Sequence, residues 1–398
     1  MCIQRRWSTP ALWVFFVAAF SCPLLAQPTF RIMDATTFNG ISGDGSVVVG
    51  CDFSFTWEKG TRLTGVGCAY SASMDGSVIV GVRNRNPKGH EAVRWVHGSI
   101  QGLGDLQDGI PTSSASGVSS DGSVVVGTGF GEAFRWENGT MTGLGNLPGG
   151  RESQATAVSG DGRIVVGYGF NASGNNEAFR WENGTMVGLR VLPVESGFSQ
   201  ATAISADGQV VVGLATGDHG AWRAFRWEDG IMTMLGPVPA TSVSWALGVS
   251  GNGVIVVGRI DGAAFIWDQA NGIRRLEDVL RDELGLNLGL WTLISANAVS
   301  ADGLTIVGQA YNGGGYRGFV ARLGYSETAD ADGDGVPDSL DACADTIAGV
   351  PVDSAGCPPK FPNDLDRDGD SDLADLALFL RCWSGPGIPI DPACLNGE

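Results

Sequence analysis

The sequence predicts an all-β fold, a seven-bladed β-propeller closed by its N-terminal strand, with a small acidic C-terminal tail carrying a short helix. A turn motif, Ser-x-Asp-Gly followed by an apolar run and Gly, recurs with Asp44, Asp75, Asp121, Asp161, Asp207, Asn252 and Asp302 at its third position. The intervals are 31, 46, 40, 46, 45 and 50 residues, the size of one four-stranded propeller blade. A second motif, an aromatic strand ending in a turn, supplies Trp57, Trp95, Trp136, Trp181, Trp227 and Trp267; its seventh copy, Gly318 to Arg322, lacks the Trp. Sixty-one Gly and only 17% charged residues suit a β protein dense in turns.

The unit Ala155 to Leu189 reads as four short strands, because apolar and β-branched residues run in groups split by Asp161-Gly162 and Asn183-Gly184. Both dipeptides predict type I′ hairpins, with φ positive at both central residues. Val124-Val125-Val126 shows no polar alternation, as expected of a strand buried on both faces. Phe179 and Trp181 alternate with Arg180 and share a face, which is expected to pack on the next blade. Arg94, Arg135, Arg180 and Arg226 recur beside the strand tryptophans and are expected to span the gap between blades, pairing with acids or backbone carbonyls. The last unit stops near Leu323, whereas Thr29 to Asp34 precedes the first turn motif and resembles the missing fourth strand. Pairing the two closes the ring and removes an open edge. An open β-solenoid is the rival architecture; uneven intervals and paired hairpin turns count against it. The insert Arg274 to Leu290 has helical spacing at Leu276, Val279, Leu280 and Leu284 and predicts a helix decorating the sixth blade.

Ala133 to Gly150, AFRWENGTMTGLGNLPGG, and its relatives resemble the HAF family of extracellular repeats over roughly residues 30–323. The His-Ala-Phe that names the family is changed at its first position to Glu91, Glu132, Glu177, Arg223 or Ala263. That position begins a strand, so the fold is untouched. The resemblance implies an extracellular protein and no established activity.

The net charge of −18 excludes nucleic acid and anionic membrane faces as partners, since like charge repels phosphate. Residues 1–26 have the parts of a secretory signal: Arg5 and Arg6, an apolar run from Ala11 to Phe20, and Leu24-Leu25-Ala26 before Gln27. The run is too short for a good membrane span, so no transmembrane segment is expected in the mature protein. A lipoprotein would acylate Cys22, but Ala19-Phe20-Ser21 approaches it poorly. Cleavage after Ala26 leaves six cysteines, an even number in an oxidising compartment. Proximity pairs Cys51 with Cys68, Cys343 with Cys357 and Cys382 with Cys394, out of 15 possible pairings.

The domains expected are a signal at 1–26, the propeller at 27–325, and two tail segments at 326–360 and 361–398. The tail carries 16 acidic and 3 basic residues. Residues 330–341, DADGDGVPDSLD, and 364–375, DLDRDGDSDLAD, fit twelve-residue calcium loops. Asp330, Asp332, Asp334, Asp338 and Asp341 form the first ligand set; Asp364, Asp366, Asp368, Asp370, Asp372 and Asp375 form the second. Calcium takes six to eight oxygens, and Gly at the sixth position permits the sharp turn. Asp at the twelfth position, shorter than Glu, weakens bidentate contact. The first loop, with Cys343, Val352-Asp353 and Gly356-Cys357-Pro358, resembles a thrombospondin type 3 repeat; the second, followed by Leu373 to Trp383, resembles half of an EF-hand-type dockerin. The second likeness implies a cell-envelope or cohesin-like partner, although a full dockerin pairs its loops more closely. Two plainer readings stay open: a solvated acidic linker, and calcium that only holds the tail folded.

No catalytic signature stands out. Each motif Asp precedes Gly in a turn, which accounts for it. Glu132 and Glu177 open equivalent strands, and a propeller could bring such acids together at one end of its axis. His97 and His219 have no Ser or Cys nucleophile motif nearby. Trp222, Trp245 and Trp291 fall outside the repeating pattern, near loops, and are the candidate ligand platform. The expected function is a secreted or cell-surface, non-enzymatic binding protein. Its propeller presents loops to a glycan or protein, while the tail attaches it or serves as a stalk. The alternative is a hydrolase or lyase acting on extracellular polysaccharide.

Overall fold

The computed structural model describes residues 27–51, 54–56, 67–85, 89–107, 112–189, 197–217, 220–239 and 241–324. The signal at 1–26, both calcium loops, the pairs Cys343–Cys357 and Cys382–Cys394, Trp57 and His219 lie outside them.

Six four-stranded antiparallel sheets follow one another. Blade A holds Gly67–Ala72, Val78–Asn84, His90–Val96 and Ser99–Gly104. Blade B holds Ser114–Val118, Val124–Gly129, Glu132–Glu137 and Thr140–Gly143. Blade C holds Ser153–Val158, Ile164–Phe170, Asn176–Glu182 and Thr185–Gly188. Blade D holds Ser199–Ile204, Val211–Thr216, Trp222–Glu228 and Ile231–Met234. Blade E holds Ser244–Val249, Val256–Ile260, Ala263–Asp268 and Gly272–Arg275. Blade F holds Thr292–Val299, Thr305–Tyr311 and Tyr316–Arg322, with Thr29–Met33 as its outer strand. A short sheet of Gly40–Ile41, Val47–Val49 and Ser54–Thr56 sits between blades F and A.

The expected seven-bladed propeller closed by the N-terminal strand is thereby corrected. Six blades are complete, and the short sheet has three strands among the described residues. Among the described residues no ladder joins that sheet to blade F. Thr29–Met33 pairs with Tyr316–Arg322, Phe30 facing Ala321, and so adds an edge strand to blade F. The ring is shut without a strand ladder: Ala35, Phe38, Ile41 and Val48 meet Val307 and Val320 in one buried cluster, and single loop contacts such as Ala301 N to Gly43 O at 2.8 Å accompany it.

Each core cluster lies between neighbouring sheets, because the central strands are buried on both faces. Val165 and Val166 are both fully buried and serve opposite clusters. Phe179 joins Val124 and Val126, with Trp181 packed alongside. Phe134 and Trp136 likewise join Val78 and Val80. The aromatic face therefore packs on the preceding blade, not the next. The arginine face looks the other way. Arg135 Nε donates to Gly162 O of blade C at 3.1 Å, and the Arg94 guanidinium lies 4.4 Å from the Trp136 ring of blade B. Arg135, Arg180 and Arg226 also hold Glu137, Glu182 and Glu228 at 2.6–2.8 Å.

The two turn types differ. At Asn183-Gly184 both φ values are positive, 50° and 81°, as a type I′ hairpin requires. At Asp161-Gly162 only Gly162 is in the left-handed region, with φ 73°, so the expected type I′ turn is absent. A side-chain network replaces it: Ser159 Oγ donates to Asp161 Oδ1 at 2.6 Å, Arg163 N donates to the same oxygen, and Ile164 N donates to Ser159 Oγ. The same Ser–Asp bond recurs at Asp44, Asp75, Asp121, Asp207 and Asp302, and with Asn252 in place of Asp.

The helix expected over 274–290 is only Leu276–Asp278 continued by a π-helical turn at Val279–Glu283. Leu276, Val279 and Leu280 are buried against blades E and F, and the segment ends before Gly285, at φ 66°. Cys51 and Cys68 form a disulfide that ties the short sheet to blade A.

Candidate functional site

The strands alternate in direction, so each sheet has two ends. The Ser-x-Asp-Gly turns and the Asn-Gly hairpins share one end, which is rich in carboxylates. The hairpins between second and third strands, and the crossings between blades, share the other.

The first strand of each blade lines the central channel, and in each the ladder slips by one residue, in blade F at two places. The extra residue of a bulge is re-aimed, here into a cavity of about 420 Å³ walled by Tyr70, Ser116, Thr156, Thr202, Leu247 and Asn297, with Asn39 from the short sheet. Several of these groups bridge blades. The Thr156 hydroxyl lies within donating reach of Val166 O and Ala201 O, that of Thr202 within reach of Val212 O and Ala246 O; Asn297 Nδ2 donates to Phe38 O, and Asn39 Nδ2 to Ala69 O. Gly167 is required opposite this bulge, since a Cβ there would sit 1.9 Å from Gln154 O. Composition reading missed this belt. Its signal was the Gly ending each apolar run, together with Thr in both Ala-Thr-Ala strand starts.

Glu132 and Glu177 are not brought together at the axis. Each packs on a fourth-strand glycine of its own blade, Gly143 or Gly188. Glu132 accepts from Gly145 N at 2.8 Å, and Glu177 accepts from Asn171 Nδ2 at 2.9 Å. In blade A, Glu91 is buried and takes Arg83 and Arg85, each at 2.6 Å. Among the described residues no group of three His, Cys, Asp or Glu side chains is placed to hold a metal.

The end opposite the carboxylate turns is aromatic. Phe130 is 58% exposed at the blade B hairpin, Arg151 lies 4.7 Å over the Phe170 ring, and Tyr311 and Tyr316 pair at 5.0 Å. Its densest part is the junction of blades D and E. Phe198 and Trp222 stand 4.5 Å apart, Trp222 and Trp245 6.3 Å apart, and the Arg259 guanidinium lies 4.3 Å above the Trp245 ring. Trp222 opens its strand opposite Thr216, and Trp245 pairs with Arg259 across the ladder. Trp222 is 36% exposed; Phe198, Trp245 and Arg259 are half-buried. Below them Arg223 is buried, and its Nη2 donates to Pro239 O at 2.7 Å. Asp261 accepts from Val243 N at 2.9 Å; that bond and one from Ser242, helped by Arg223 and Arg275, hold its carboxyl below the usual range.

Two of the three candidate platform tryptophans thus meet. Trp291 lies at the same end but packs on the buried cluster under the helical insert, and its carbonyl accepts from Arg281. Phe198 and Arg259 were not foreseen. The trace of Arg259 was a charged residue after the run-ending Gly, where other copies carry Cys, Val, Thr, Tyr, Leu or Gln.

No helix among the described residues is long and apolar enough to cross a membrane. No protein-family model matches the chain, and no curated protein matches it by sequence. Among solved structures it is similar to TolB from Acinetobacter baumannii, at 14% identity and a TM-score of 0.42, covering 60% of this chain and 62% of that one. The chain therefore spans less than two thirds of that protein. It is also similar to an oligogalacturonate lyase in complex with manganese, at 11% identity and a TM-score of 0.48 over 75% of this chain and 96% of that one. A third likeness is to Porphyromonas gingivalis dipeptidyl peptidase 4, at 11% identity and a TM-score of 0.42 over 72% of this chain and 50% of that one.

Proposed function

We propose that the protein is a secreted, non-enzymatic glycan-binding protein whose aromatic end is the binding face and whose acidic tail, folded around calcium, attaches it to the cell envelope or serves as its stalk. The observation that carries the reading is the Phe198–Trp222–Trp245 cluster, its rings tilted at 43° and 49° to one another and open to solvent at Trp222. An exposed indole held from behind by two other rings has little conformational freedom left to lose, so it presents a rigid apolar plane. The C–H face of a pyranose ring matches such a plane, and surrounding polar groups meet its hydroxyls. The channel wall adds support: it offers hydroxyls, amides, methyls and backbone carbonyls, several already committed between blades.

Binding of a hexasaccharide, followed by titration calorimetry, tests the reading. Trp222→Ala is expected to weaken it at least about tenfold, since a central Trp contact contributes roughly 2 kcal/mol or more. Unchanged affinity, with an unchanged melting curve, overturns the platform. For the tail, retention on envelope fractions is compared between the mature chain and a chain ending at Ser326, with calcium and with chelator. Retention that needs both tail and calcium supports attachment; equal retention of the shortened chain places adhesion in the propeller.

A further inference from the structure

We infer that the junction of blades D and E selects acidic saccharides, with Arg259 as the group that takes the sugar carboxylate; this rests on the glycan reading above. Like Arg94 and Arg151, Arg259 lies over an aromatic ring and has no carboxylate partner among the described residues; of the three it is the one that stands beside Trp222. Arg83, Arg85, Arg135, Arg180, Arg226, Arg274 and Arg281 each meet a carboxylate at 2.6–3.1 Å. Among the described residues Arg259 meets none, and its recorded contact is the Trp245 ring. In a chain with 43 acidic and 25 basic residues, an arginine beside an exposed Trp and without a carboxylate is a vacant charge at a ligand face.

The ring contact leaves that charge available. A guanidinium whose Cζ is held over an indole still has N–H groups to offer as the fork that carboxylates accept in pairs. The carboxylate two residues away, Asp261, is already engaged by Val243 N and Ser242, and Arg223 and Arg275 bear on it as well. Among the described residues Arg259 is therefore left as a charge that a uronate completes and a neutral sugar does not. Trp222 takes the ring face, and Arg259, on the far side of the Trp245 contact, takes the acid of the same or an adjoining residue.

The test uses the full mature protein with calcium and three probes: a mannuronate hexasaccharide, cellohexaose and a short polyglutamate. The mannuronate oligomer is expected to bind about tenfold more tightly than cellohexaose, the gain of a charge-assisted hydrogen-bond pair, and to lose that margin as salt rises. Arg259→Gln should bring the two affinities together, and Arg259→Lys, which keeps charge but not the fork, should restore only part of the difference. Equal wild-type affinities, or a margin untouched by Arg259→Gln in a protein of unchanged melting temperature, overturn the acidic selectivity and leave the glycan reading standing. Failure of both saccharides to bind overturns the glycan reading itself. Binding of polyglutamate in place of mannuronate assigns the face to acidic peptides and overturns both.

Discussion

Ser159 shows how one hydroxyl organises a turn. It is fully buried, donates to Asp161 Oδ1, and accepts from Ile164 N. Ser159→Ala strips the buried Ile164 N–H of its side-chain acceptor and frees the carboxylate, so a loss of about 1–3 kcal/mol is expected in urea unfolding. The acid side of the stability curve follows from the same groups. Hydrogen bonds from Ser159 and Arg163 N hold Asp161 below its ordinary value of 3.8, and those from Ser119 and Ser123 do the same for Asp121. A carboxyl depressed in the folded state stabilises above its unfolded pKa and loses that contribution as pH falls through the folded one. Stability should therefore hold down to about pH 4 and drop below it, as thermal melts across pH 2–5 would show. The position of these turns was legible from Ser-x-Asp-Gly alone. Their geometry was not, because a dipeptide rule cannot register a serine two positions upstream of the Asp taking over the role of a second positive φ.

At the scale of elements, strand order and the burial of the Val-rich second strands followed from pattern, since a run without polar alternation has nowhere to go but between sheets. Which neighbour the aromatic face meets did not follow, because period two separates faces without orienting them around a ring. The helical insert fell short for a related reason. Leucine spacing marks a buried stripe, but Gly285 and Gly289, both at positive φ, limit how far a helix can carry it. The short sheet is the element most dependent on covalent help. Its disulfide closes a separation of 17 residues, which corresponds to about 3 kcal/mol in the chain-entropy account. Cys68→Ser, or reduction of the wild type, should lower the stability by that order. Hydrogen exchange should show the loss first in Val47–Val49 and Gly67–Ala72, while blades C and D keep their protection. Uniform loss across all blades would show that the short sheet is not a separable weak point.

Across the whole molecule, repetition made the architecture readable and hid the site. Seven turn motifs announce a ring, yet the functional candidates are the residues where copies disagree: Trp222, Trp245 and Arg259 stand where their counterparts carry other side chains. A ring shut around Phe38, Val307 and Val320 depends on both chain ends staying in place. Removing residues 27–36 bares the edge of Tyr316–Arg322 along five paired positions and is expected to yield soluble aggregates by light scattering. A monomer of unchanged melting temperature would show that the outer strand of blade F is dispensable.

The pairing of Thr29 with Arg322 has a mechanical meaning. Both described ends of the chain leave the ring at the carboxylate end, so a pull applied beyond residue 324 acts on Tyr316–Arg322 along its own axis. That strand is gripped on both sides, by Thr29–Met33 and by Thr305–Tyr311. Antiparallel hydrogen bonds lie across the strand direction, so they share such a load in shear and do not unzip one at a time. A protein held by its tail against flow would keep its propeller intact while its aromatic end pointed downstream, away from the anchor.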